Sequence, residues 1–182
     1  PSNGCDFDYF VPDPWSKQKP IGSITLRMIS DSITQAVNDN TGKGISNLNK
    51  VRLFIGIFFN CNLLGILKLI KYMRTIKGKP FRKALFLDYS LILINQTLDK
   101  RYKTGFSSIF LNAGAHIQHR YFLNSKVLNE FANNPSWYIE KDLDPLKEAL
   151  YLYDKALQTY EEMGYKVILL TGLRQIPLGH SK

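Results

Sequence analysis

Two of the three histidines in this chain fall in one stretch, FLNAGAHIQHRY from Phe110 to Tyr121, where His116 and His119 stand three residues apart behind Asn112. Neutral imidazole is a common ligand of divalent metals, and an amide oxygen can contribute to such a shell. If the small residues after Asn112 open a helix, both imidazoles share a face. Asn112, His116 and His119 would then form a partial zinc or manganese shell. The same spacing also suits a turn whose imidazoles serve structure alone. No Cys-His-Asp triad and no GxSxG elbow can be assembled, and Gly42, Gly44 and Gly78 match neither a phosphate loop nor a dinucleotide fingerprint.

The second chemical feature is positive charge. The formal net charge is +9, and Lys68, Lys71, Arg74, Lys77, Lys79, Arg82 and Lys83 follow one another with no acidic residue between them. On a helix, the steps of three from Lys68 to Lys77 make a drifting basic stripe. Such a stripe is either a solvated face or a surface for phosphate, nucleic acid or acidic lipid. Nucleic-acid binding would call for aromatic rings interleaved with the charges, and in the local sequence Tyr72 and Phe81 alone meet that condition.

The elements that must position these groups follow from periodicity and punctuation. Residues 1 to 20 read as a strand-like DFDYFV and an extended loop, because Pro12, Pro14 and Pro20 exclude a sustained helix. Helices are expected over about Ile21 to Asn38, Asn47 to Ile76 and Phe81 to Tyr102, separated by NDNTGKG and Gly78-Lys79-Pro80. FSSIFLN, ending at Asn112, reads as a buried strand leading into another helix. Leucines and tyrosines at alternating steps of three and four predict an amphipathic helix from Leu143 to Tyr160, with Asp144-Pro145 in its first turn and Gly164 at its end. YKVILLTGL follows as a second buried strand. Strand, helix, helix, strand implies an α/β fold, a partial parallel sheet flanked by helices. Ligands of such sheets gather beyond the strand ends, here Asn112 to His119 and Thr171 to Gln175.

At 182 residues the chain suits one domain or a piece of something larger, and Pro1 is read as a cut or processed start. Cys5 and Cys61 stand far apart and suggest neither a zinc knuckle nor a disulfide framework, so a reducing, cytoplasmic setting is expected. Val51 to Met73 approaches the length of a bilayer span, but Arg52, Asn60, Asn62, Lys68 and Lys71 interrupt it. A buried or lid-forming helix is expected there, and no transmembrane segment.

The stretch from Lys79 to Phe122, with its LFLDYSLILI helix and AHIQH segment, resembles the alkaline phosphatase superfamily, in its type I phosphodiesterase and nucleotide pyrophosphatase-like branch. DYFVPDPW upstream and VILLTGLRQIP downstream resemble that branch in the same order. The resemblance implies a binuclear metal site, usually zinc, at the carboxyl end of a parallel sheet, where a Thr or Ser nucleophile attacks phosphorus. Asn112 and His116 occupy the places of its Asp-x-x-x-His ligands, and His119 matches the second histidine of its AHxQH pattern. Gly172-Leu173-Arg174 stands where Asp-His-Gly is usual, and the nucleophile has no counterpart in the chain.

The resemblance implies a segment of a metal-dependent phosphoester hydrolase. Residues 1–20 would form an opening strand and loop, 21–104 a mostly helical insertion or lid, and 105–182 the core segment. Arg174, Thr171, Lys79 and Arg82 would face an anionic small-molecule or glycan substrate. The alternative is a non-catalytic protein that holds an anionic glycan, nucleotide or nucleic acid.

Overall fold

The computed structural model describes residues 7–38, 45–126, 137–140 and 142–171. Among them are six α-helices: α1 (Ile24–Asn38), α2 (Asn47–Asn60), α3 (Leu63–Met73), α4 (Arg82–Tyr102), α5 (Ala113–Tyr121) and α6 (Pro145–Glu162), with a 3-10 turn at Phe122–Asn124. The expected α/β architecture is therefore corrected: the described residues hold no sheet, and their one β-pairing is the isolated antiparallel bridge between Phe10 and Ile21. FSSIFLN and the described part of YKVILLTGL have the composition of strands, but neither forms a ladder. A strand exists only through a partner's hydrogen bonds, and a short apolar run cannot specify that partner by itself.

The chain divides into two compact units, Pro1–Ile70 with Leu93–Ser108, and Lys71–Ile92 with Ile109–Lys182, so α4 contributes a part to each. In the first unit, α1 and α2 form an antiparallel pair. Asn60, near the end of α2, donates from Nδ2 to Thr25 Oγ1 at the start of α1 (2.9 Å), while Gln35 Oε1 accepts from Ser46 N and Asn49 Nδ2 at the other end. The two helices touch closely at Gly56, where an added Cβ would lie 2.4 Å from Ile29 Cγ1 and 2.9 Å from the Thr25 carbonyl oxygen. The backbone atom cannot rotate away. Gly56→Ala is therefore expected to lose about 1–3 kcal/mol by separating the pair, despite alanine's better helix propensity, as read by chemical denaturation.

The expected single helix from Asn47 to Ile76 is broken in two. Cys61 adopts an extended backbone, and Asn62 Oδ1 accepts the Gly65 N–H at 2.7 Å, a side-chain cap that starts α3. Of the expected buried or lid-forming helix, the buried reading is corrected, because much of the apolar surface of α2 and α3 faces outward. The basic stripe is shortened as well: α3 stops at Met73, so Lys68 and Lys71 are helical while Arg74 and Lys77 lie in turns. No helix of the described residues is long and apolar enough to cross a membrane.

The first unit also buries Asp99, on α4, whose Oδ1 accepts from Tyr9 OH (2.6 Å) and Thr104 Oγ1 (2.7 Å). Tyr9 OH in turn accepts from Asn95 Nδ2 at 2.9 Å. This polar cluster ties the segment around Tyr9 to the second half of α4.

In the second unit, Leu85 of α4, Ala113 and Ile117 of α5, and Leu146 and Ala149 of α6 pack with Phe81, Tyr121 and Ile139 into one core. The start of α6 was legible from its Asp-Pro: Asp144 Oδ1 accepts the Lys147 N–H at 2.9 Å, and Pro145 takes the first helical position. The other carboxylate oxygen accepts from Lys126 N (2.9 Å) and Ser125 Oγ (3.2 Å), which fastens the residues after α5 to the same cap.

Candidate functional site

Within FLNAGAHIQHRY, Ala113–Tyr121 forms α5, and its start is held from elsewhere in the fold. Asn112 sits at the N-cap and makes no side-chain cap. Asp88, from α4, caps the helix across space. Its Oδ2 accepts from Ala113 N at 2.9 Å and from Tyr153 OH at 2.7 Å, and its Oδ1 lies 3.4 Å from Asn112 N. Tyr153 OH also accepts the Gly114 N–H at 2.7 Å, so the hydroxyl is a relay between α5 and the carboxylate. Orphan amides and positive dipole at a helix start favour an anion there, and Asp88 fills that role from inside the fold. Burial nonetheless raises its carboxyl above the ordinary 3.8, against the pull of its hydrogen bonds from Tyr153, Ala113 and Asn112.

His116 and His119 are both exposed on α5. Partial burial, and then the positive charges of Arg120 and His119, hold the His116 imidazolium below its ordinary 6.5. Nuclear magnetic resonance titration should place His116 below that value, and Arg120→Ala should move it upward; a value unchanged by that substitution would discard the electrostatic account. Among the described residues no group of three His, Cys, Asp or Glu side chains could hold a metal ion. The expected metal-binding character of Asn112, His116 and His119 gains no support from these residues. The metal-dependent hydrolase chemistry expected with it has, among these residues, neither its ligand set nor the sheet that would present one. Cys61 offers no nucleophile at neutral pH either, because burial pushes its thiol up to about 12.

The other expected site residues are dispersed in role. Arg82 is held by a bidentate pair with Glu148, Nε to Oε1 at 2.6 Å and Nη2 to Oε2 at 2.9 Å, and Nη1 donates to the Thr75 carbonyl at 3.0 Å. Tyr72 OH reaches the same carboxylate at 3.4 Å, and burial first, then the Glu148 charge, raises its phenol. Thr171 is exposed, in an irregular segment after α6. Arg174 lies outside the described residues.

Lys79 alone among them lines a cleft. This opening of about 200 Å³ lies between the Gly78–Phe81 turn, Tyr121 at the end of α5, and the segment from Trp137 to Glu140 with Leu143. Its walls are a chain of rings: Phe81 and Tyr121 meet edge to face at 5.8 Å, Tyr121 and Tyr138 lie tilted at 5.4 Å, and Trp137 and Tyr138 meet edge to face at 5.9 Å. Phe81 and Tyr121 are buried, whereas Tyr138 is 39% and Trp137 83% exposed. An indole left in water beside a half-buried lysine and the Glu140 carboxylate offers a flat apolar surface, a cation and an acceptor within one opening. That set can hold a planar or sugar ring bearing negative charge.

Sequence reasoning missed Tyr121, Trp137 and Tyr138 as partners of Lys79, since they come from positions about 40 and 60 residues further along. It also missed Asp88 and Tyr153. For Asp88 a signal existed: a lone acid inside LFLDYSLILI must be either buried and satisfied or on a face the apolar pattern does not provide. No family model matches this chain, and no curated protein or solved structure is significantly similar to it.

Proposed function

We propose that the chain is a non-catalytic binding module for single-stranded nucleic acid, with the cleft at Lys79 taking one nucleotide. The observation that carries this reading is the convergence of Tyr121, Trp137 and Tyr138 on the Lys79-Pro80-Phe81 turn. It supplies the aromatic partners for the basic segment that the local sequence lacks. Bases stack on exposed aromatic faces with little sequence preference, and lysines beside them neutralise the backbone. Arg74, Lys77 and Lys83 are exposed within the same acid-free segment. Glu140, also in the cleft, can accept from a base amino group but would repel a second phosphate, which suits one stacked nucleotide with its phosphate toward Lys79.

Trp15 is the second tryptophan, so a Trp15→Phe background makes indole emission report Trp137. Titration with an oligothymidylate of about ten nucleotides should quench that emission saturably. The affinity should fall with salt, with a logarithmic slope of about −2 if about three phosphates are neutralised. Trp137→Ala, read by fluorescence anisotropy of a labelled strand, should weaken binding roughly 5- to 100-fold, the range of one lost stacking contact. An affinity indifferent to salt, or one unchanged by Trp137→Ala, would sink the proposal. Tighter binding of a sulfated oligosaccharide than of any strand would instead assign the cleft to an anionic glycan.

A further inference from the structure

The geometry of the corner between α2 and α3 points to a docking surface for an anionic membrane face. The inner side of α2 is spent on α1 through Gly56, Ile57 and Asn60, and Gly65 and Leu69 are the buried residues of α3. Large apolar side chains nonetheless remain on the outward side. Phe58, Phe59, Leu63 and Leu64, on either side of the Cys61–Asn62 corner, are 61%, 60%, 71% and 69% exposed, and the Phe58 and Phe59 rings meet only edge to face at 5.5 Å. Phe54 and Leu67 extend the same character one turn back along α2 and one turn on along α3. A cluster of large apolar side chains of this kind marks an interaction site rather than ordinary surface.

Charge selects the occupant. From Asn40 to Leu87 the sequence contains no Asp or Glu, and α2 and α3 themselves carry Lys50, Arg52, Lys68 and Lys71. A second copy of the chain would bring the same cations against their like and is disfavoured on that ground. An anionic lipid surface instead accepts Phe and Leu into the acyl boundary and attracts the flanking lysines from the headgroup side. Both helices are too short to span a bilayer, so the corner lies in the interface plane rather than crossing it. This inference is independent of the nucleic-acid cleft, which uses other residues.

The test is co-sedimentation of the whole chain with vesicles of phosphatidylcholine alone, and with about a third of it replaced by phosphatidylserine. Binding to the anionic vesicles, weakened by salt, is expected. Phe58→Ser/Leu64→Ser should reduce the partition coefficient roughly tenfold or more while leaving the far-ultraviolet circular dichroism unchanged, since both side chains are already in water. Lys50→Gln/Lys68→Gln should reduce binding to the anionic vesicles and leave binding to neutral ones unaltered. Failure of the wild-type chain to sediment with anionic vesicles overturns the inference, and so does a serine variant that binds as well as wild type. A stable dimer in sedimentation equilibrium that the serine variant dissociates, without vesicle binding, would give the face to a second copy and overturn it equally.

Discussion

Asp88→Ala should lower the unfolding free energy by about 2–4 kcal/mol, because it removes the acceptor for a buried amide and a half-buried hydroxyl. Asp88 is 3% exposed and Ala113 equally so, and the lost carboxylate leaves the Ala113 N–H and the Tyr153 O–H without their partner. Each orphaned donor costs its full desolvation, not merely a net hydrogen bond. Asp88→Asn keeps an oxygen for both donors and should cost only about 1 kcal/mol, through an amide group facing the Asn112 N–H. Tyr153→Phe should fall between, at about 1–3 kcal/mol, since it orphans the Gly114 N–H and removes one of the three donors to Asp88. Urea unfolding of the three variants gives the ranking, and equal losses for Ala and Asn would reject the capping account.

The same group gives a pH signature. Its folded carboxyl titrates above the ordinary 3.8, so between that value and the raised one the folded chain binds more protons than the unfolded chain. The contribution of Asp88 to stability is therefore complete below about 3.8 and is lost as pH rises through the folded value. Subtracting the Asp88→Asn profile from the wild-type profile should isolate that fall. A difference that rises with pH over the window would show that the hydrogen bonds from Tyr153, Ala113 and Asn112 outweigh burial.

Tyr121→Ala is the second large effect, expected at about 3–5 kcal/mol of stability together with loss of strand binding. Tyr121 is a buried member of the core formed by α4, α5 and α6, and its ring touches both Phe81 and Tyr138. Without it the wall between the Gly78–Phe81 turn and the Trp137 segment is gone, and the cleft loses its floor. Tyr121→Phe preserves the ring and should cost less than about 1.5 kcal/mol, with near-normal affinity. Calorimetry and anisotropy on the same pair separate packing from binding: if Phe binds as poorly as Ala, the hydroxyl rather than the ring holds the ligand.

Helix positions were readable because they rest on local physics. Ser46 and Asp144 cap with their own side chains, and Gly164, at φ 88°, stops α6 where the apolar period ends, whereas the Asn62 cap that divides α2 from α3 went unread. The strands were misjudged for the complementary reason. Phe106, Phe110 and the run Ile168–Leu170 have strand-like side chains, yet they are exposed and form no ladder among the described residues. The histidine pair shows the same dependence on distant partners. Spacing put His116 and His119 one turn apart on α5, but a metal needs further ligands from elsewhere in the chain, and the acid nearest in role, Asp88, is spent on the helix start.

By itself, then, the sequence determined most of where this protein is helical, where it is positively charged, and that its apolar stretch at 51–73 is too interrupted to span a bilayer, because propensity, capping and charge act over a few neighbouring residues. Only the tertiary structure decided which rings meet Lys79, which carboxylate caps α5, and which side of α2 and α3 stays in water. Those outcomes depend on residues tens of positions apart being brought together by burial, a free energy summed over the whole unit that no local pattern encodes.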